Sequence, residues 1–137
     1  MAAPGYRGYI ASRPIDGERA PQHIQNLAVR DYARRKGLTF LLSAAEYSMP
    51  ECYLVLEQVL DELPSLGGVI CYSLFMLPQD GEYRARIWRR ILGAGKSIHG
   101  ALEGLGISTD ADVSRIEDMW LVRRVLPRCP LEIPFKL

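Results

Sequence analysis

Long apolar runs, charge of one sign and paired cysteines are all missing from this chain, and each absence removes a class of function. No run is long and apolar enough to cross a bilayer. The opening Met1-Ala2-Ala3-Pro4-Gly5-Tyr6-Arg7 lacks the apolar core of a secretory signal. A cytoplasmic protein without a membrane partner is therefore expected. Seventeen basic side chains against sixteen acidic ones leave a net charge of +1, which gives no basis for a general nucleic-acid or membrane surface. Three cysteines, Cys52, Cys71 and Cys129, are odd in number and have no metal-ligand spacing. Reduced thiols and no bound metal are expected. Neither repeats nor low-complexity linkers occur.

What is present reads as one α/β domain over residues 1–137, of ordinary composition at 48% hydrophobic and 24% charged. Residues 8–12 read as a first strand. Helix one begins near Pro21, with Ile24, Leu27, Ala28, Tyr32 and Ala33 as its apolar face and Lys36-Gly37 as its stop. Residues 38–42 form strand two. Ser48 and Glu51 have capping-box spacing and open helix two, which carries Tyr53, Leu56, Val59, Leu60 and Leu63 and ends at Pro64. Residues 68–73 are the clearest strand, continuously apolar as a central parallel strand is. Helix three runs from Glu82 to Leu92 with Tyr83, Ile87 and Ile91 inward. Its arginines, Arg84, Arg86, Arg89 and Arg90, read as a solvated face. Residues 97–102 are strand four. Helix four spans 110–125 with Ile116, Met119, Trp120 and Val122.

This alternation predicts a three-layer open parallel sheet of about four strands in the order 2-1-3-4, flavodoxin-like in architecture, with right-handed crossovers. Residues 126–137 hold three prolines among alternating apolar residues, which forbids a helix. They read as an extended arm, covering either a neighbouring subunit (a dimer or tetramer) or its own domain.

Ligands of such sheets bind outside the carboxyl ends of the strands, at the point where strand order reverses. Ser12 and Arg13 end strand one there. Ser12 suits a nucleophile, a phosphate ligand or a turn cap, and His23 is the base it would need. Arg13 and Arg19 offer guanidinium forks that match phosphate or carboxylate, next to the free amides of a helix start. Gln22, Gln25 and Asn26 add donors and acceptors suited to sugar hydroxyls. Strand two contributes Ser43, Glu46 and Tyr47, strand three Tyr72 and Ser73, and strand four Glu103. Glu46 and Glu103 are candidate acid and base. Each of these residues also has a structural reading, as a core side chain or a solvated loop group. Gly93-Ala94-Gly95-Lys96-Ser97 has the ending of a phosphate-binding P-loop, but Arg90 replaces its first glycine and the segment joins helix to strand. No cofactor is implied.

Two resemblances carry these readings further. Gly8-Tyr9-Ile10-Ala11-Ser12-Arg13, the run from Arg19 to Asn26, Leu41-Leu42-Ser43-Ala44-Ala45-Glu46-Tyr47, the run from Tyr72 to Pro78, and Ala101-Leu102-Glu103 resemble the sporadic carbohydrate cluster proteins over about residues 8–125. That resemblance implies a place in bacterial surface-carbohydrate biosynthesis more than a particular reaction. More distantly, Tyr9, Ser12, Gln25 and the stretch Glu103–Asp110 resemble the catalytic domain of serine recombinases, the resolvases and invertases. The departures are large. Leu74-Phe75-Met76-Leu77-Pro78-Gln79 stands where that family carries phosphate-holding arginines, and Ile10 replaces the arginine expected two before the serine. A resolvase-like fold is expected, and DNA cleavage is not, because its transition state would lack electrostatic support. The expected partner is a phosphorylated or nucleotide-linked sugar, handled by an isomerase, lyase or transferase. The alternatives are a non-enzymatic scaffold working through its tail and a Met119-Trp120 face, or a reduced recombinase that still handles DNA.

Overall fold

The computed structural model describes residues 4–15, 19–49 and 51–125. In chain order these form β1 (Tyr6–Ala11), α1 (Gln22–Lys36), β2 (Phe40–Glu46), α2 (Leu54–Asp61), β3 (Gly68–Cys71), α3 (Gly81–Gly93), β4 (Ser97–Gly100), β5 (Leu105–Ile107) and α4 (Asp110–Val125). They make one sheet in the order β2-β1-β3-β4-β5. The first four strands are parallel and reproduce the expected 2-1-3-4 order, while β5 runs antiparallel to β4. The fifth strand is additional to the four expected, and β4 ends at Gly100, two residues short of the expected 97–102. The chain leaves β4 at Gly100, and Gly104 adopts a left-handed φ of +67° in the turn back. A three-residue strand is too short to show a hydrophobic period.

Alternate residues feed two cores. Tyr9 and Ala11 of β1, Val69 and Cys71 of β3, and Ile98 of β4 face one side. There they pack with Leu56, Val59 and Leu60 of α2, Ile87, Trp88 and Ile91 of α3, and Ile116 and Trp120 of α4. Ile10 and Ile70 face the other side, where α1 supplies Val29, Tyr32 and Ala33. Burial pushes the Cys71 thiol well above its ordinary range, which suits an inert structural cysteine. Among the described residues Cys52 and Cys71 are free thiols, and no helix is long and apolar enough to cross a membrane.

Several details differ from the periodicity. Helix α1 buries Gln25, Val29, Tyr32 and Ala33, and leaves Ile24 43% and Leu27 58% exposed. Gln25 holds a core position because its carboxamide satisfies the backbone at the end of β1. The Ala11 N–H donates to Oε1 at 3.1 Å, and Nε2 donates to the Ala11 carbonyl and, at 2.9 Å, to the Ala20 carbonyl. The capping box does not open α2, which begins at Leu54, while Glu51 takes a left-handed φ of +56°. Glu46 caps α2 instead. Arg84 is buried, not solvated: Nε and Nη2 each reach Glu117 of α4 at 2.7 Å, and Nη1 donates to the Pro78 and Gln79 carbonyls at 2.9 and 3.1 Å. Trp120 is likewise buried, so of the expected Met119-Trp120 face only Met119, which is half-buried, reaches the surface, while Val122, expected inward, is 53% exposed. The expected arm over 126–137, with Cys129, lies outside the described residues, as do residues 16–18 of the loop before α1.

One buried group makes stability depend on pH. His99 of β4 lies between the hydroxyls of Tyr32 (Nδ1, 2.7 Å) and Ser97 (Nε2, 2.9 Å). Desolvation, with a smaller effect from Lys36, lowers its pKa from 6.5 to about 4. Between those values the unfolded chain binds a proton that the folded one refuses. Stability is therefore highest above pH 6.5 and falls towards pH 4, by roughly 3 kcal/mol at most for a shift of this size. Urea melts at neutral pH and near pH 4.5 check this. The native protein should lose more stability across that interval than His99→Gln does, and equal losses contradict it.

Candidate functional site

The C-terminal edge of the sheet carries a groove. Its first hollow, of about 600 Å³, is bordered among the described residues by Arg13, Arg19, Tyr53, Gln79, Asp80 and Tyr83, with Ser48 and Glu51 at one side. A second, of about 370 Å³, is bordered by Arg19, Tyr72, Ser73, Leu102, Glu103 and Arg123. A third, of about 680 Å³, runs from Gln79 and Asp80 to Trp120, Arg123 and Arg124. Ile15 and Phe75 border all three, so the hollows form one continuous depression. Its position follows from the topology. The sheet reverses strand order at β1, and the segments after β1 and β3 both leave at this edge.

Of the residues expected to converge, Arg13, Arg19, Tyr72, Ser73 and Glu103 border the groove. Arg13 is already engaged. Its Nη1 donates to the Cys52 carbonyl at 2.7 Å and its guanidinium lies 4.5 Å from the centre of the Tyr53 ring. Its Nη2 is buried with no hydrogen-bond partner among the described residues. Arg19 is exposed. Glu103 accepts the Ser73 hydroxyl at 2.7 Å and the Leu74 N–H at 2.9 Å, and Ser73 in turn accepts the Phe75 N–H at 3.1 Å. These bonds hold the turn after β3 in place.

The others do not border the groove. Ser12 is half-buried and His23 exposed, and no hydrogen bond joins them among the described residues. The expected serine–histidine pair is therefore not assembled. Gln22 and Tyr47 are exposed. Asn26 accepts the Ser43 hydroxyl at 2.6 Å and so ties α1 to β2. Gln25 is the backbone clamp described above.

Glu46, 3% exposed, is a hub. Its Oε1 accepts the Tyr9 hydroxyl at 2.6 Å and the Leu56 N–H at 2.9 Å. Its Oε2 accepts the Val55 and Tyr47 N–H groups at 3.0 and 3.2 Å. Burial, and then the Glu46 carboxylate, push the Tyr9 phenol far above its usual range. A carboxylate so occupied has no lone pair directed at a ligand.

Sequence reasoning missed Tyr53, Phe75, Gln79, Asp80, Tyr83 and Arg123 as groove residues. Tyr53 and Tyr83 meet edge-to-face at 5.7 Å, and Arg123 lies 3.8 Å from the centre of the Phe75 ring. Phe75 and Gln79 lie in the segment that stood out for lacking arginine. Tyr53 and Tyr83 sit at helical spacing, where they read as core-facing residues of helices two and three, and nothing in the pattern singles out Arg123 in helix four. Among the described residues no cluster of histidine, cysteine and carboxylate side chains is placed to hold a metal ion.

No protein-family model matches the chain, and no curated protein does. These comparisons give no support to the carbohydrate-cluster resemblance. Among solved structures, the chain is similar to the N-terminal catalytic domain of TP901-1 integrase, with a TM-score of 0.58 at 12% identity, over 89% of this chain and 96% of that one. At that identity the likeness is one of fold. The chain has a resolvase-like α/β fold, with a mostly parallel five-stranded sheet between helical layers.

Proposed function

We propose that this is a resolvase-fold protein without strand-cleaving chemistry, whose groove binds a small anionic carbohydrate, a phosphorylated or nucleotide-linked sugar. The observation that carries the reading is the groove itself. It combines ring edges, the Gln79 amide, the Ser48 hydroxyl and the Arg19 guanidinium in one depression, the mixture that a hydroxylated, charged ligand requires. Phosphodiester cleavage would need a base near Ser12 and fixed cations around the developing charge. Among the described residues Ser12 makes no hydrogen bond with a base, and the turn after β3 is apolar from Leu74 to Pro78. A second reading, a reduced recombinase that still handles DNA, draws on the likeness to an integrase catalytic domain.

Two assays separate the readings. Calorimetric titration should show saturable binding of UDP-glucose or glucose 1-phosphate, unchanged in Ser12→Ala. Supercoiled plasmid should stay supercoiled at micromolar protein and moderate salt. Nicking that disappears in Ser12→Ala, without sugar binding, would establish the second reading instead.

A further inference from the structure

Helix α4 is apolar on more than its core side. Ile116 and Trp120 are buried in the core, but the last two turns also present Leu121, Val122 and Val125, which are 57%, 53% and 47% exposed. Met119 and Val122, three residues apart and so neighbours on one face, border a hollow of about 380 Å³. Phe75, edge-on to Trp120 at 5.1 Å, is its third apolar member. Arg115 and Asp118, both exposed, stand at the same border, as does Arg123. A helix with apolar residues around most of its circumference is one that is covered on both sides.

We propose that the cover is this chain's own segment 126–137, laid back along α4 with Leu131, Ile133 and Phe135 over Met119, Val122 and Phe75. The sequence beyond Val125 has the matching pattern. Leu131, Ile133, Phe135 and Leu137 are apolar, and Glu132, Pro134 and Lys136 stand between them. In an extended chain that spacing puts the apolar residues on one side. Pro127 stops α4 from continuing, and Pro130 and Pro134 exclude a second helix. The reach is sufficient. The hollow extends back to Arg115, about 15 Å along the helix from Val125, and the twelve residues 126–137 span up to about 40 Å. Charge agrees as well, because Glu132 and Lys136 bring one charge of each sign to a border where Arg115 and Asp118 offer one of each. So short a tether holds the segment near the hollow at a roughly millimolar effective concentration, which a second copy at micromolar concentration does not match. The assignment is independent of what the groove binds.

Nuclear Overhauser contacts in the full chain test it. Contacts from the Phe135 ring, or from the Leu131 and Ile133 methyls, to the Met119 and Val122 methyls are expected within one copy. They should be lost in Val122→Asp, whose exposed position leaves the core intact. Phe135→Ala, which alters nothing in the described fold, should shift the Met119 and Val122 methyl signals and leave the signals of the buried core in place. Contacts seen only between differently labelled copies in a mixed sample would give the hollow to a second copy and overturn the proposal. Contacts that survive Val122→Asp would overturn it too, as would the absence of any contact from residues 131–135 to the hollow with Met119 and Val122 signals unmoved by Phe135→Ala.

Discussion

Replacing Glu46 by alanine is expected to unfold a large part of the population at modest denaturant. The carboxylate is the shared acceptor for the Tyr9 hydroxyl of β1 and for the Leu56, Val55 and Tyr47 N–H groups. Alanine leaves the buried phenol of Tyr9 and the first N–H groups of α2 without partners in a space closed to water. Each orphaned donor costs about 1–3 kcal/mol, and loss of a helix cap about 1 kcal/mol. Allowing for relaxation, the net loss is about 3–5 kcal/mol, a large share of the roughly 5–15 kcal/mol that holds a domain folded. Glu46→Gln keeps the shape and one acceptor, and so falls between alanine and native. Urea midpoints of the three proteins check this. A Glu46→Ala midpoint within about 1 kcal/mol of native would mean that the carboxylate is not structural, and would return it to the list of candidate acid–base groups.

The second large effect is expected at Arg84. Its guanidinium, nearly fully buried, pairs with both Glu117 oxygens at 2.7 Å, donates to the Pro78 and Gln79 carbonyls, and lies 4.1 Å from the centre of the Trp120 ring. Trp88 Nε1 completes the cluster with a 2.8 Å bond to Glu117. Hydrogen bonds from Arg84, and to a smaller extent from Trp88, hold the Glu117 carboxyl below its usual range. Arg84→Met removes all the arginine's bonds at once. A fully buried pair broken in this way costs about 3–5 kcal/mol, but Glu117 is about one-third exposed and regains water. The expected loss is therefore near 3 kcal/mol. Arg84→Met with Glu117→Leu should lose less than the sum of the single changes, because the second change removes the charge left unpaired by the first. Strict additivity would contradict the pairing. Because Arg84 holds the carbonyls of Pro78 and Gln79, which border the groove, the single variant should also bind UDP-glucose more weakly at neutral pH.

Most of the architecture was legible in the chain because it follows from periodicity. The continuous apolar run before Ser73 gave a central strand, and four strand–helix alternations gave the parallel order. What escaped detection depended on polar side chains in core positions. Gln25, Glu46 and Arg84 look like surface residues in a one-dimensional pattern. Each is buried because it completes the hydrogen bonding of a backbone segment that no hydrophobic period describes. The short β5 escaped because three residues cannot show alternation. The site was legible to the same degree. The edge of the sheet and the position of Arg19 at the rim of the groove follow from topology. The aromatic wall of Tyr53 and Tyr83 does not, since it depends on two helices meeting at the β2–α2 and β3–α3 loops. Ser12, prominent in sequence, makes no hydrogen bond with His23 among the described residues and does not border the groove.

The central claim is that the depression around Ile15 and Phe75 is a small-ligand site and not a relic of DNA cleavage. A crystal grown with millimolar UDP-glucose tests it most directly. Ordered ligand lying along Ile15 and Phe75, with its diphosphate at Arg19, is the result predicted. An empty groove with ligand bound elsewhere, or no ligand bound at all, would contradict it.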